Sequence, residues 1–140
     1  MINLSYELDL IFEEFDDKIK IILLDDNSST EIIRRIIQKL PLTTHINKWG
    51  EELYTDDIKI GSDYEKSDLK QEVAKFDVAF WPEGGAICLF FGPTPISKGG
   101  KILPYSPVQV IGKIKTSSSN ETYANVLKYE NRTRITIRKT

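Results

Sequence analysis

Apolar and polar residues alternate from the start of the chain, with Leu4, Tyr6, Leu8, Leu10 and Phe12 on one side and Asn3, Ser5, Glu7 and Asp9 on the other. That period of two predicts a half-buried strand. After the acidic break EEFDD, Ile19, Ile21 and Leu23 alternate with Lys18 and Lys20. A second strand is therefore expected to return as a hairpin, its lysines facing the acids of the first. The period then changes. Ile32, Ile33, Ile36, Ile37 and Leu40 recur every three to four residues, while Glu31, Arg34, Arg35, Gln38 and Lys39 fill the opposite side. This is an amphipathic helix with one buried stripe. Ser28, three residues before Glu31, reads as a capping box, and Pro41 stops the helix, so its expected span is 28–40.

β-forming residues return in HINKWGEELYT and in IKI, whereas Gly61 to Lys75 is polar, lysine-rich and poorly periodic. The latter reads as a surface excursion with at most a short helical turn. VAFWPEGGAICLFFG predicts a strand, a Pro-Glu-Gly-Gly turn and an almost wholly apolar strand of the kind buried on both faces. A proline-rich loop, PTPISKGGKILPYSP, precedes a β run in VQVIGKI and a Ser/Thr-rich connection, TSSSNET. A short helix is expected to carry Tyr123, Val126 and Leu127 inward. Asn131 suits a left-handed turn before the closing strand RTRITIRK. Many strands with one strong helix predict a mainly β fold, an antiparallel barrel or sheet with helical caps. Residues 1–31 carry nine acids against two lysines, and residues 113–140 carry seven bases against two glutamates, so the chain ends are expected to pair.

The 140 residues, 40% apolar and 29% charged, suit one packed domain over 1–140. A net charge of −2 provides no cationic field for nucleic acid or an anionic membrane, so neither is expected as a partner. The longest apolar run, AICLFF, is far too short to span a bilayer, and neither signal peptide nor anchor is expected. Cys88 is the only cysteine, which excludes an internal disulfide and agrees with a reducing, cytoplasmic setting. Set within the apolar strand, it reads as a core residue and not as a nucleophile. His45 is the only histidine and reads as a polar loop residue; no metal site and no cofactor are expected. The pairs Gly84, Gly85 and Gly99, Gly100 lack the context of a phosphate-binding loop and read as turns. Arg132, Arg134 and Arg138 read as a solvated strand face.

Glu51 and Glu52 are the more informative acids. On a regular strand they point to opposite faces, and with Trp49 and Leu53 turned inward Glu51 shares their side. A carboxylate there needs a partner or a raised pKa, and either a binding role or a rim hydrogen bond satisfies that demand. The aromatic residues Trp49, Tyr54, Phe80, Trp81, Phe90 and Phe91 gather in the same two β regions, as core or as pocket lining.

The blocks WGEELY, FWPEGGAICLFFGPTP and SPVQVIGKI resemble the small prokaryotic cyclophilin-like domain family of unassigned function, which carries WGEEIYF-like, YWPPGGALCIFFGPTP-like and SPVNVIGKI-like segments in this order. The resemblance implies a closed antiparallel β-barrel with helices over its openings. The chain departs from the family's Gly-Asp turn at Phe76 and Asp77, where the phenylalanine either rebuilds the turn or covers a pocket. True cyclophilins use a strand arginine beside a proline pocket; here the five arginines lie on the helix or the last strand, and the Phe-x-x-Gln-Gly-Gly-like block is absent. The resemblance therefore implies binding of a small molecule or peptide ahead of catalysis. The expected site is an aromatic-lined depression formed by Trp49, Glu51, Tyr54, Trp81, Phe91, Thr94 and Ser106. In it Glu51 would orient a donor while Thr94 and Ser106 add hydrogen bonds. Two alternatives stand beside this reading: a divergent peptidyl-prolyl isomerase, and a non-catalytic subunit of an amide- or carboxylate-processing assembly that acts with a protein partner.

Overall fold

A computed structural model describes residues 4–128 and 132–140, apart from the side chains at 117 and 118. The chain order is β1 (Leu4–Phe12), β2 (Asp17–Asp25), α1 (Thr30–Lys39), β3 (Leu42–Trp49), β4 (Glu52–Thr55), β5 (Asp77–Trp81), β6 (Ala86–Phe90), β7 (Gln109–Lys115), α2 (Thr116–Val126) and β8 (Thr133–Lys139). The eight strands close into a barrel in the order β1-β2-β7-β5-β6-β4-β3-β8, with every neighbour antiparallel. Closure leaves no sheet edge exposed to pairing by another chain.

Alternation decides what lies inside. Leu8, Leu10 and Phe12 of β1 and Ile19, Ile21 and Leu23 of β2 are fully buried in the interior cluster. On the outside of the same hairpin Asp9 stands opposite Lys20 and forms ion pairs of 3.4 Å with Lys20 and 3.8 Å with Lys18. The expected pairing of the chain ends is present, since β8 lies against β1 and sets Arg138 opposite Asp9. Lys115 of β7 bonds Glu7 of β1 at 2.7 Å.

Both helices add apolar side chains to the interior: Ile32, Ile33 and Ile36 from α1, Tyr123 and Val126 from α2. The capping box is not formed. Ser28 instead donates to Asp26 at 2.6 Å and Thr30 to Asp25 at 2.6 Å, so the acids of the preceding turn take the hydroxyls and α1 begins at Thr30. Glu31 pairs with Arg34 and Arg35, and Arg35 continues to Asp63 at 2.6 Å, tying the helix to the excursion after β4.

The segment TSSSNET is helix, not loop. Beyond the end of β7 the edge of β2 would be bare, and α2 covers it: the Ser119 hydroxyl accepts from the Lys20 amide at 3.2 Å, and Thr122 donates to the Lys18 carbonyl at 2.8 Å. Polar side chains that disfavour a helix in isolation are thus held in one by the backbone groups they satisfy. Leu127 is exposed, contrary to expectation, because α2 ends at Val126. His45 lies within β3, not in a loop, with its Nδ1 3.6 Å from Asp56. The excursion from 61 to 75 contains no helical turn and is pinned by buried Tyr64 and Val73. Asn131 lies outside the described residues.

Candidate functional site

A second apolar cluster forms on the outside of the barrel. Val78, Phe80, Ile87 and Leu89 point inward, so their neighbours Ala79, Trp81, Cys88 and Phe90 point outward, where the loop from 91 to 108 folds over them. The β5–β6 hairpin is thereby buried on both faces, as its continuous apolar sequence predicts. Hydrogen bonds hold the covering loop in place. Thr94 donates to the Leu103 carbonyl at 2.5 Å, and Ser97 Oγ accepts from the amides of Thr94 at 2.9 Å and Leu103 at 3.0 Å. Val73 and Val108 tie the loop to the 61–75 excursion through backbone bonds to Ile102 and Lys70.

Between barrel wall and loop lies a cavity of about 230 Å³, lined by Trp49, Glu52, Tyr54, Trp81, Cys88, Pro104, Tyr105 and Val108. Its aromatic walls turn corners instead of stacking. Trp49 meets Tyr105 at 5.9 Å and 72°, Tyr105 meets Trp81 at 5.9 Å and 73°, and Trp81 meets Tyr54 at 6.3 Å and 89°. Trp81 is fixed by its indole N–H, which donates to Ser106 at 2.6 Å. Gly84 in the following turn leaves room for that ring, since a Cβ there would stand 2.2 Å from it.

Glu52 is the acid of this cavity. β3 and β4 are joined through the two residues Gly50 and Glu51, so Trp49 and Glu52 are a cross-strand pair and share a face with Tyr54. Only 5% of Glu52 is exposed, and burial raises its pKa from the usual 4.5 to about 7 although a hydrogen bond with the Cys88 thiol opposes the shift. Burial and the adjacent Glu52 carboxyl push the Cys88 thiol well up, which leaves it a poor thiolate.

The seven residues expected from sequence do not share one depression. Trp49, Tyr54 and Trp81 line the cavity, and Ser106 anchors Trp81. Thr94 is buried in the covering loop with its hydroxyl engaged there. Glu51 is exposed in the turn and lines a separate, open groove with Phe91, Asp77 and Lys113. Its placement departs from expectation because the tight turn, not a continuous strand, sets the parity of the residues after Gly50. Phe91 stacks on Tyr123 at 3.9 Å, and burial together with the Glu51 charge pushes the tyrosine up to about 12.

Phe76 packs against Phe91 at 6.2 Å, away from the cavity, and keeps the turn by adopting the left-handed φ of 72° that glycine favours. Glu52, Cys88, Pro104, Tyr105 and Val108 are the lining residues that the sequence reading did not assign. A two-residue Gly-Glu turn between β-forming runs is the signal that identifies Glu52. Among the described residues no group of three or more His, Cys, Asp and Glu is placed to hold a metal ion, and no helix is long and apolar enough to cross a membrane.

A closed antiparallel barrel of eight strands, with apolar side chains of two helices added to its interior, defines the cyclophilin-like class of fold. The chain belongs to the Cyclophilin-like family, whose model matches residues 7–138. It is similar over 99% of its length, at 30% identity and a TM-score of 0.77, to 98% of the hypothetical protein AF2241 from Archaeoglobus fulgidus, known from a solution structure. It also resembles McbB, solved in complex with tryptophan, with 95% of this chain matching 44% of McbB at a TM-score of 0.73. At 12% identity that second likeness is one of fold alone. No curated protein matches the chain.

Proposed function

We propose that the protein binds a small molecule, or one side chain of a peptide, in the outer cavity, with Glu52 as the polar anchor. The observation that carries this reading is a single buried carboxyl set among four aromatic side chains, Trp49, Tyr54, Trp81 and Tyr105, in a recess of about 230 Å³. An acid buried without an opposite charge lowers stability, and a ligand donor would supply the missing partner. Apolar walls with one placed polar group are the usual make-up of a small-molecule site. The five arginines lie on α1, just before β8 or along it, and none borders the cavity, so ligand binding stands ahead of prolyl isomerisation.

A fragment screen read through the indole N–H resonances of Trp49 and Trp81 tests the proposal. Ligands that shift both signals are expected to weaken by roughly tenfold or more in Glu52→Gln, the loss typical of a charge-assisted hydrogen bond. Glu51→Gln is expected to bind them as the parent does. Hits that are indifferent to Glu52→Gln but lost in Glu51→Gln would move the site to the neighbouring groove.

A further inference from the structure

We propose, on the basis of that reading, that the cavity selects small organic cations: Trp49, Tyr54, Trp81 and Tyr105 surround Glu52, the only charged residue among those described that line it. The chemistry of the lining favours a positive ligand over the alternatives. An anion would meet the Glu52 carboxylate with no base to offset it, because no lysine or arginine is among the described residues that line the cavity. A neutral ligand would leave the buried charge without a counter-ion. An alkylammonium group supplies that counter-ion and sets its N–H and adjacent C–H groups against aromatic rings, whose quadrupoles attract a cation more strongly once water is excluded. Pro104, Val108 and Cys88 leave apolar surface for a short hydrocarbon body. Tyr105, 69% exposed, stands at the mouth where such a body would enter.

The titratable groups that share the cavity with Glu52 are Tyr54 from β4, Cys88 from β6 and Tyr105 from the covering loop. Trp49 and Trp81 on β3 and β5 do not titrate. Binding of a cation therefore requires loss of the Glu52 proton, and this proton leaves at about pH 7 in the free protein. Affinity for the cation is expected to fall roughly tenfold for each pH unit below that point and to level off above it.

The test uses n-butylammonium chloride and n-butanol, alike in carbon chain but differing in charge, titrated into the full chain while the Trp49 and Trp81 indole signals are followed. Above pH 7.5 the amine is expected to bind at least about tenfold more tightly than the alcohol, and the preference is expected to shrink as pH falls. In Glu52→Gln the amine is expected to bind no better than the alcohol at any pH. Equal affinity of amine and alcohol in the parent protein would overturn the cation assignment and leave the binding site standing. A preference that survives in Glu52→Gln would assign the selectivity to other groups and equally overturn it. If neither compound moves the two indoles at any concentration up to solubility, the cation assignment is overturned, and the fragment screen decides separately whether the cavity binds other ligands.

Discussion

The Gly112→Ala protein is expected to lose about 3 kcal/mol of stability or more, a large fraction of the roughly 5 to 15 kcal/mol that holds a small domain together. Gly112 lies in β7 between Leu23 of β2 and Val78 of β5. A Cβ at this position would sit 1.9 Å from the Ile22 carbonyl oxygen and 3.0 Å from the Leu23 Cα. Those are backbone atoms of a paired strand, so no side-chain rotation relieves the clash, and β2 must separate from β7. The pairing of β5 with β7 shifts register between Val78 and Ala79, next to the same glycine. Urea denaturation measures the effect. A midpoint equal to that of the parent would show that the two strands are less closely apposed than described.

The stability of Glu52→Gln relative to the parent protein is expected to rise by about 3 kcal/mol between about pH 4 and about pH 8. The carboxyl has its usual pKa of 4.5 in the unfolded chain and about 7 when folded. As pH rises through this interval the unfolded state gives up the proton first, so the parent protein loses stability from about pH 4.5 to about pH 7 and then no further through this residue. The glutamine has no such transition. Any difference in amide hydrogen bonding between the two proteins is constant with pH, which makes the change in their stability gap the informative quantity. Denaturation of both proteins at about pH 4 and about pH 8 gives that change directly. A gap that does not widen at the higher pH would mean that Glu52 is either solvated or paired with a base.

Strands with one wet face were legible because their period of two reflects directly which side meets water. The β1–β2 hairpin and the charge match between β1 and β8 follow from residues read in order, whereas the β5–β6 hairpin, buried on both faces, is legible from its nearly continuous apolar run on either side of a Pro-Glu-Gly-Gly turn. The start of α2 was not legible, because Ser119 and Thr122 favour a helix only once the bare edge of β2 is present for them to satisfy. Residues of the site divide in the same way. Trp49, Tyr54 and Trp81, which line the cavity, are large aromatics in β segments, and the pattern groups them while leaving core and pocket lining both open. A linear alternation carried across Gly50 puts Glu51 on the side of Trp49, whereas the two-residue turn makes Glu52 the cross-strand partner of Trp49. Pro104 and Tyr105 reach the cavity only through the course of the covering loop, which Thr94 and Ser97 fix by contacts distant from any periodic signal.

The carboxyl carbon of Glu52, followed by NMR in protein labelled at glutamate, provides the most direct test of a buried acid waiting for a positive partner. The free protein is expected to show it titrating at about 7, and saturating n-butylammonium is expected to lower that value as the ion pair forms. A Glu52 carboxyl that titrates at the ordinary 4.5 in the free protein and ignores the added cation would contradict the account.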